Sequence, residues 1–111
     1  MKDVVIKMAD FFKALGDPTR LKIIRLLASN PEQQLCVGAM AKWLGISQPA
    51  VSQHLKILKN VDIVEPNRCG YHVHYAVNPE TLAAFKKNWD ELSRLAFEKC
   101  ECLEKCRASE K

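Results

Sequence analysis

Apolar and polar residues alternate along the first third of the chain with the period of an α-helix. Apolar side chains recur at steps of three and four over residues 3–15, which predicts an amphipathic helix that ends at Gly16. Asp17 is a favourable N-cap, and Pro18 fits the first position of a second helix that extends to about Ser29. The pattern therefore predicts two consecutive helices separated by a tight turn.

Two shorter helices are predicted next, with a brief turn between them. Apolar residues between positions 35 and 44 predict a third helix, which Gly45 closes. A fourth helix begins after the N-cap Ser47, and its inward residues are spaced by four and three: Val51, Leu55 and Leu58. Two short helices joined by three residues are typical of a helix-turn-helix.

The pattern then changes to the period of a β-strand. Aromatic and β-branched residues alternate with smaller or polar ones over residues 71–77, and an earlier strand covers about residues 63–67. Residues 68–70 are the predicted turn between the two strands. A two-stranded ribbon that directly follows a recognition-type helix is a wing.

A last helix is predicted from Pro79 onward. Its apolar residues form a heptad seam: Leu82, Phe85, Trp89, Leu92 and Ala96. A seam of this kind faces another helix, either the first helix or a second subunit. The predicted fold is mostly α with a two-stranded β wing, that is, a winged helix-turn-helix.

Composition and charge predict a domain boundary and a cellular location. The 111 residues are 48% apolar and 27% charged, which predicts one globular domain over residues 1–97 followed by a cysteine-rich tail, residues 98–111. The first residues are charged, and no apolar stretch is long enough for a membrane span, so we expect a cytoplasmic protein without a membrane partner. The net charge is +4, and the basic excess lies between residues 42 and 75.

The outward face of the fourth helix carries side chains suited to DNA. The second helix of a helix-turn-helix enters the major groove, where hydroxyl and amide groups contact base edges and lysines contact phosphates. The candidate contacts on this helix are Ser47, Gln48, Ser52, Gln53, His54, Lys56 and Lys59. Arg68 and His72 of the wing are placed to reach the flanking backbone or minor groove. A merely solvated polar face is the alternative, but the order of helix, turn, helix and ribbon favours a DNA reader.

The same segments resemble a known family. FKALGDPTRLKIIRLL, LCVGAM, SQPAVSQHLKILKN and the wing ending in HVHYAV are similar to the ArsR/SmtB family of winged-helix repressors, over about residues 12–77. The resemblance implies a homodimer formed by the first and last helices that binds an inverted-repeat operator in double-stranded DNA. It also implies release from DNA when a metal or metalloid binds, or when thiols are oxidised, with no cofactor in the DNA-bound form.

The five cysteines are the candidates for that response. An odd number of thiols in a reducing compartment favours metal binding or redox chemistry over a disulfide framework. Three of them, Cys100, Cys102 and Cys106, lie within seven residues of the tail. Thiolates bind soft ions, so this trio is the leading candidate site for As(III) or Sb(III). On a continuous helix Cys100 points about 200° away from Cys102, so the trio requires either a helix end or a site shared across the dimer.

Two further cysteines are secondary candidates. The resemblance implies a Cys-Val-Cys motif in arsenic-responsive members, and here Cys36 holds the first position while Gly38 holds the second. Cys69 lies in the predicted wing turn, where an incidental exposed thiol is the simpler interpretation. The zinc site of SmtB-type members needs histidine on the last helix, and the three histidines of this chain lie elsewhere: His54, His72 and His74.

Alternative functions remain at this point. The same repressor would respond to Cd(II), Pb(II) or Zn(II), to an iron–sulfur cluster, or to a reversible disulfide or persulfide. A metal carrier without DNA binding is an alternative of another class. No nucleophile–base pair and no phosphate-binding loop is present in the sequence, so we do not expect an enzyme.

Overall fold

The computed structural model describes residues 2–30 and 35–98. In these ranges the elements follow one another as α1 (Lys2–Leu15), α2 (Pro18–Ser29), β1 (Leu35–Cys36), α3 (Val37–Leu44), α4 (Gln48–Asn60), β2 (Val64–Cys69), β3 (His72–Val77) and α5 (Pro79–Phe97). The tail thiols Cys100, Cys102 and Cys106 lie outside the described residues.

The predicted start of α2 is confirmed in detail. The Asp17 carboxylate accepts hydrogen bonds from the backbone N–H groups of Thr19, at 2.8 Å, and Arg20, at 3.2 Å. Pro18 occupies the first turn, where its missing N–H costs nothing. Gly45 ends α3 in the left-handed conformation, with φ of 67°, and so allows the sharp turn into α4.

The three strands form one antiparallel sheet in the order β1-β3-β2, and the β2–β3 hairpin is the predicted wing. Two details of the prediction were wrong. Leu35 lies in a strand rather than in the third helix, because its backbone pairs with Tyr75 of β3. The wing turn consists of Gly70 and Tyr71 rather than residues 68–70, since Gly70 has a φ of 63° and permits a two-residue turn.

The core is formed by the helices around the helix-turn-helix and by the start of β2. Its buried side chains are Phe11, Ala14, Ile23, Leu27, Met40, Ala41, Val51, Leu55, Leu58, Ile63 and Val64. Full burial of a large apolar side chain contributes roughly 1.5–3 kcal/mol. Three of these residues belong to α4, so the core determines which face of α4 points to solvent.

The last helix, α5, is only partly buried against the rest of the chain. Phe85 stacks on Phe11 with ring centroids 4.1 Å apart, which attaches α5 to α1. None of the α5 side chains is fully buried, and four large apolar side chains in its second half are exposed: Trp89, Leu92, Leu95 and Phe97. None of the described helices has both the length and the apolar character that crossing a bilayer requires.

Candidate nucleic-acid interface

The recognition-type helix α4 is capped at both ends and packs one side against the core. At its start the Ser47 hydroxyl accepts a hydrogen bond from the Ala50 N–H at 3.2 Å. Its last turn closes with a backbone bond from the Ile63 N–H to the Leu58 carbonyl, at 3.1 Å, and Asp62 between them takes the left-handed conformation. The helix therefore presents a defined outward face.

That face carries most of the predicted DNA contacts. The residues that the structure places there, all exposed, are Gln48, Ser52, Gln53, Lys56 and Lys59. Amide and hydroxyl groups can pair with base edges, and ammonium groups can contact phosphate oxygens. Ser47 is also exposed, although its oxygen already accepts the capping bond.

His54 differs from the other predicted contacts. Its ring is half-buried and turned toward α2, with Nδ1 3.4 Å from Nη1 of Arg20. Sequence reasoning missed Arg20, which lies 34 positions earlier, because no local pattern links these two residues.

Two exposed residues near the predicted DNA contacts were not among the candidates from the sequence. Ile57 follows Gln53 by one helical turn and is 37% exposed, whereas the other large apolar residues of α4 are buried. Its position does not fit the spacing of the buried residues Val51, Leu55 and Leu58, and this could have indicated from the sequence that it faces outward. Tyr71 stands fully exposed at the tip of the wing.

The wing offers its two predicted residues on opposite faces. Arg68 lies opposite Val73, whereas His72 lies opposite Cys69, and facing residues of an antiparallel pair share a face while neighbours alternate. Both Arg68 and His72 are exposed. A phosphate backbone passing along the wing can therefore meet the Arg68 guanidinium on one face and a ring N–H donor of His72 on the other.

The described thiols share one face of the sheet with two histidines. Cys36 is directly opposite His74, Cys69 is directly opposite His72, and the two imidazole rings are nearly parallel with centroids 6.3 Å apart. Cys36 and Gln48 line the same open cleft, of about 610 Å³. Within residues 2–30 and 35–98, however, no three His, Cys, Asp or Glu side chains converge closely enough to hold a metal ion.

The electrostatics at the start of α2 involve a single carboxylate. The hydrogen bond from the Arg20 N–H lowers the pKa of the Asp17 carboxyl below its usual value, and the Thr19 N–H and the Arg20 guanidinium act in the same direction. Partial desolvation opposes them. An ionised Asp17 thus stabilises the N-terminus of α2 and faces the charge of Arg20.

Comparisons with known proteins agree with this geometry. Residues 17–65 match the family model described as "Bacterial regulatory protein, arsR family". The transcriptional repressor SdpR of Bacillus subtilis is 37% identical over 75 residues, which are 68% of this chain and 80% of that protein. The arsenical resistance operon repressor of Escherichia coli is 37% identical over 92 residues, 83% of this chain and 77% of that protein.

A solved structure shows a similar fold. The homodimeric winged helix-turn-helix DNA-binding domain of a possible ArsR-family transcriptional regulator from Mycobacterium bovis superposes with a TM-score of 0.62. It is 27% identical, and the match covers 86% of this chain and 83% of that chain. The predicted fold class is confirmed, and these relatives, which are regulators, also confirm that the chain is not an enzyme.

Proposed function

We propose that this chain, which belongs to the ArsR family of bacterial regulatory proteins and is a transcriptional repressor, binds an inverted-repeat operator as a homodimer. Binding of As(III) or Sb(III) to its cysteine thiolates releases it from the operator. The observation that carries the DNA-binding half is the division of α4. Its inward residues are buried, and its outward residues are amides, a hydroxyl and lysines.

In the operator complex the outward face of α4 lies in the major groove. Gln48 and Gln53 present the amides that pair with bases, with Ser52 between them, while Lys56 and Lys59 contact phosphates. The wing contacts the flanking backbone or minor groove through Arg68 and His72. His54 is only half-exposed, and Nδ1 of its ring is directed at Arg20 rather than at the DNA.

The dimer is formed by α1 and α5. Together these helices expose a set of large apolar side chains: Val5, Ile6, Phe12, Trp89, Leu92, Leu95 and Phe97. A second copy of the chain covers such a surface, and the Mycobacterium bovis domain of similar fold is described as homodimeric. Two-fold symmetry places the two α4 helices on two half-sites of opposite orientation, which is why the operator is an inverted repeat.

The inducer site is the tail trio. Cys100, Cys102 and Cys106 supply three thiolates within seven residues, a number and chemistry that suit a trivalent metalloid. The Escherichia coli relative is named for arsenical resistance, which favours the same class of inducer. The trio follows α5, so occupancy changes the end of the helix that joins the subunits. Typical allosteric coupling of about 1–3 kcal/mol is enough to release an operator.

The test is a titration of the protein on its own upstream DNA. Fluorescence anisotropy of reduced protein is followed as As(III), Sb(III), Cd(II) and Zn(II) are added. Wild type is compared with the variant Cys100→Ser/Cys102→Ser/Cys106→Ser. Cys69→Ser is the matched control, because it removes one exposed thiol without touching the tail.

We expect As(III) to release wild type and the Cys69→Ser control but not the triple variant. Equal release of wild type and triple variant would move the inducer site away from the tail, with Cys36 as the first position to test. Release by Cd(II) or Zn(II) alone would replace the metalloid by a divalent ion. No specific retention on upstream DNA would contradict the operator itself.

A further inference from the structure

Arg20 makes contacts with two other helices. Its Nε donates to the Ala14 carbonyl, and its Nη2 donates to the Lys13 carbonyl at 3.4 Å. Both carbonyls belong to the last turn of α1, where helix carbonyls lack their usual partners. The guanidinium also lies at the negative end of the α1 dipole, which favours a cation there.

The third nitrogen of the same guanidinium reaches the recognition helix. Nη1 of Arg20 lies 3.4 Å from Nδ1 of His54, in a half-buried position. Arginine only donates hydrogen bonds, so Nδ1 accepts this one through its lone pair, in the tautomer that carries the ring proton on Nε2. A protonated ring would place two donors against each other.

The position of Arg20 is itself determined by the chain around it. Its backbone N–H donates to the Asp17 carboxylate at 3.2 Å, which holds the first turn of α2 where the side chain departs. The guanidinium charge also lowers the pKa of the Asp17 carboxyl, so the two groups attract each other. Arginine suits this place because its planar fork serves several acceptors at once, which a lysine ammonium on a flexible stem does not.

We propose that Arg20 is a positioning residue for operator recognition, which fastens α4 to the end of α1 through His54. The proposal rests on the proposed function, in which α4 contacts bases and α1 joins the two subunits. The Arg20–His54 contact then sets the angle at which α4 leaves the dimer, and it is a direct connection between the dimer helices and the DNA-reading helix.

The test distinguishes the hydrogen bond between Arg20 and His54 from the size and charge of their side chains. Arg20→Lys keeps the charge and removes the fork, and Arg25→Lys, an exposed position on the same helix, is its control. His54→Phe keeps a ring and removes the acceptor, whereas His54→Asn places a carboxamide oxygen near the position of Nδ1. Affinity is measured for the operator and for an unrelated duplex of equal length, together with the melting temperature of each variant.

We expect Arg20→Lys and His54→Phe each to weaken operator binding by about tenfold. The double variant should be no weaker than Arg20→Lys alone, because that substitution already removes the contact with His54. Binding to the unrelated duplex should change by less than about twofold, since phosphate contacts supply that affinity. His54→Asn should recover most of the operator affinity, and Arg25→Lys should match wild type.

Three outcomes would overturn the proposal. The first is an equal loss of affinity for both duplexes, which indicates a direct phosphate contact. The others are additive losses of operator affinity in the double variant, and no recovery of operator affinity with His54→Asn. A DNA-free measurement decides the contact separately, since ¹⁵N NMR of wild type should show the Nε2–H tautomer at His54 and Arg20→Lys should abolish it. Failure of the proposed function looks different, because wild type itself would then show no preference for the operator.

Discussion

Phe12 of α1 and Trp89 of α5 meet edge to face, with ring centroids 5.5 Å apart and an interplanar angle of 76°. Phe12 makes a second edge contact with Phe85, which in turn stacks on Phe11. The aromatic cluster therefore runs from the core outward along the α1–α5 contact. Phe12 and Trp89 each remain 44% exposed, so the cluster continues onto the surface proposed for the dimer.

Replacement of Trp89 by glutamate should separate the dimer into monomers. The substitution places a charge in the centre of an apolar contact, where desolvation of an unpaired carboxylate is costly. Sedimentation equilibrium at micromolar concentration measures the change, with circular dichroism to show that the helices persist. Lys87→Glu, on the charged side of α5, is the matched control and should stay dimeric. A dimeric Trp89→Glu protein would contradict the proposed interface.

Gln53 and Lys59 should contribute to DNA binding in different ways. Gln53→Ala should cost about 1–3 kcal/mol on the operator and almost nothing on unrelated DNA, because it removes a base contact. Lys59→Ala should weaken binding to both and reduce the slope of log affinity against log salt by about one, because it removes a phosphate contact. Anisotropy titrations at several salt concentrations distinguish them. The same effect of both substitutions on both DNAs would exclude a base contact by Gln53.

Gly38 can accept a side chain. A Cβ added there meets only the Gln48 Nε2 atom at 3.6 Å, an ordinary contact, and the residue lies inside α3. Gly38→Ala should therefore stabilise the protein by about 0.5–1 kcal/mol in denaturant unfolding, since glycine is the poorer helix former. A loss of stability would show that this contact is tighter than the geometry indicates.

Gly38→Cys would place a second thiol two residues after Cys36. In the background that lacks the three tail thiols, this variant should bind As(III) through the new pair, and thiolate-to-arsenic absorbance in the ultraviolet detects the bond. Gly38→Ser in the same background is the control and should show no absorbance. Absence of binding in Gly38→Cys would mean that the start of α3 does not bring the two sulfurs together.

Asp17 should make stability depend on pH in the acidic range. The pKa of the Asp17 carboxyl is lowered in the folded protein, so the unfolded chain binds the proton more readily. The stabilisation is therefore present above the usual pKa of 3.8 and is lost as the pH falls through the lower pKa of the folded protein. Asp17→Asn keeps a capping side chain and removes the titration. Its melting temperature should fall less than that of wild type as the pH is lowered from 5 to about 3. Asp90→Asn, on the exposed face of α5, is the control and should follow wild type.

Much of the fold could be predicted from the sequence because helices carry local information. Asp17 and Ser47 cap their helices as expected, and Val51, Leu55 and Leu58 are buried as their spacing predicted. The outward residues of α4 followed from the same spacing, since a helix with one buried face has only one other face to offer. The outward face of α4, which carries the proposed DNA contacts, was therefore predictable.

The tertiary structure decided what depends on segments far apart in the chain. Leu35 is a strand residue only because Tyr75 of β3 offers its backbone, and Cys36 faces His74 for the same reason. His54, which the sequence predicts as a DNA contact, places its Nδ1 against Arg20, because the end of α1, the start of α2 and the middle of α4 meet there. Periodicity and capping act over a few neighbouring residues, whereas strand pairing and side-chain contacts between helices arise only when the chain has packed.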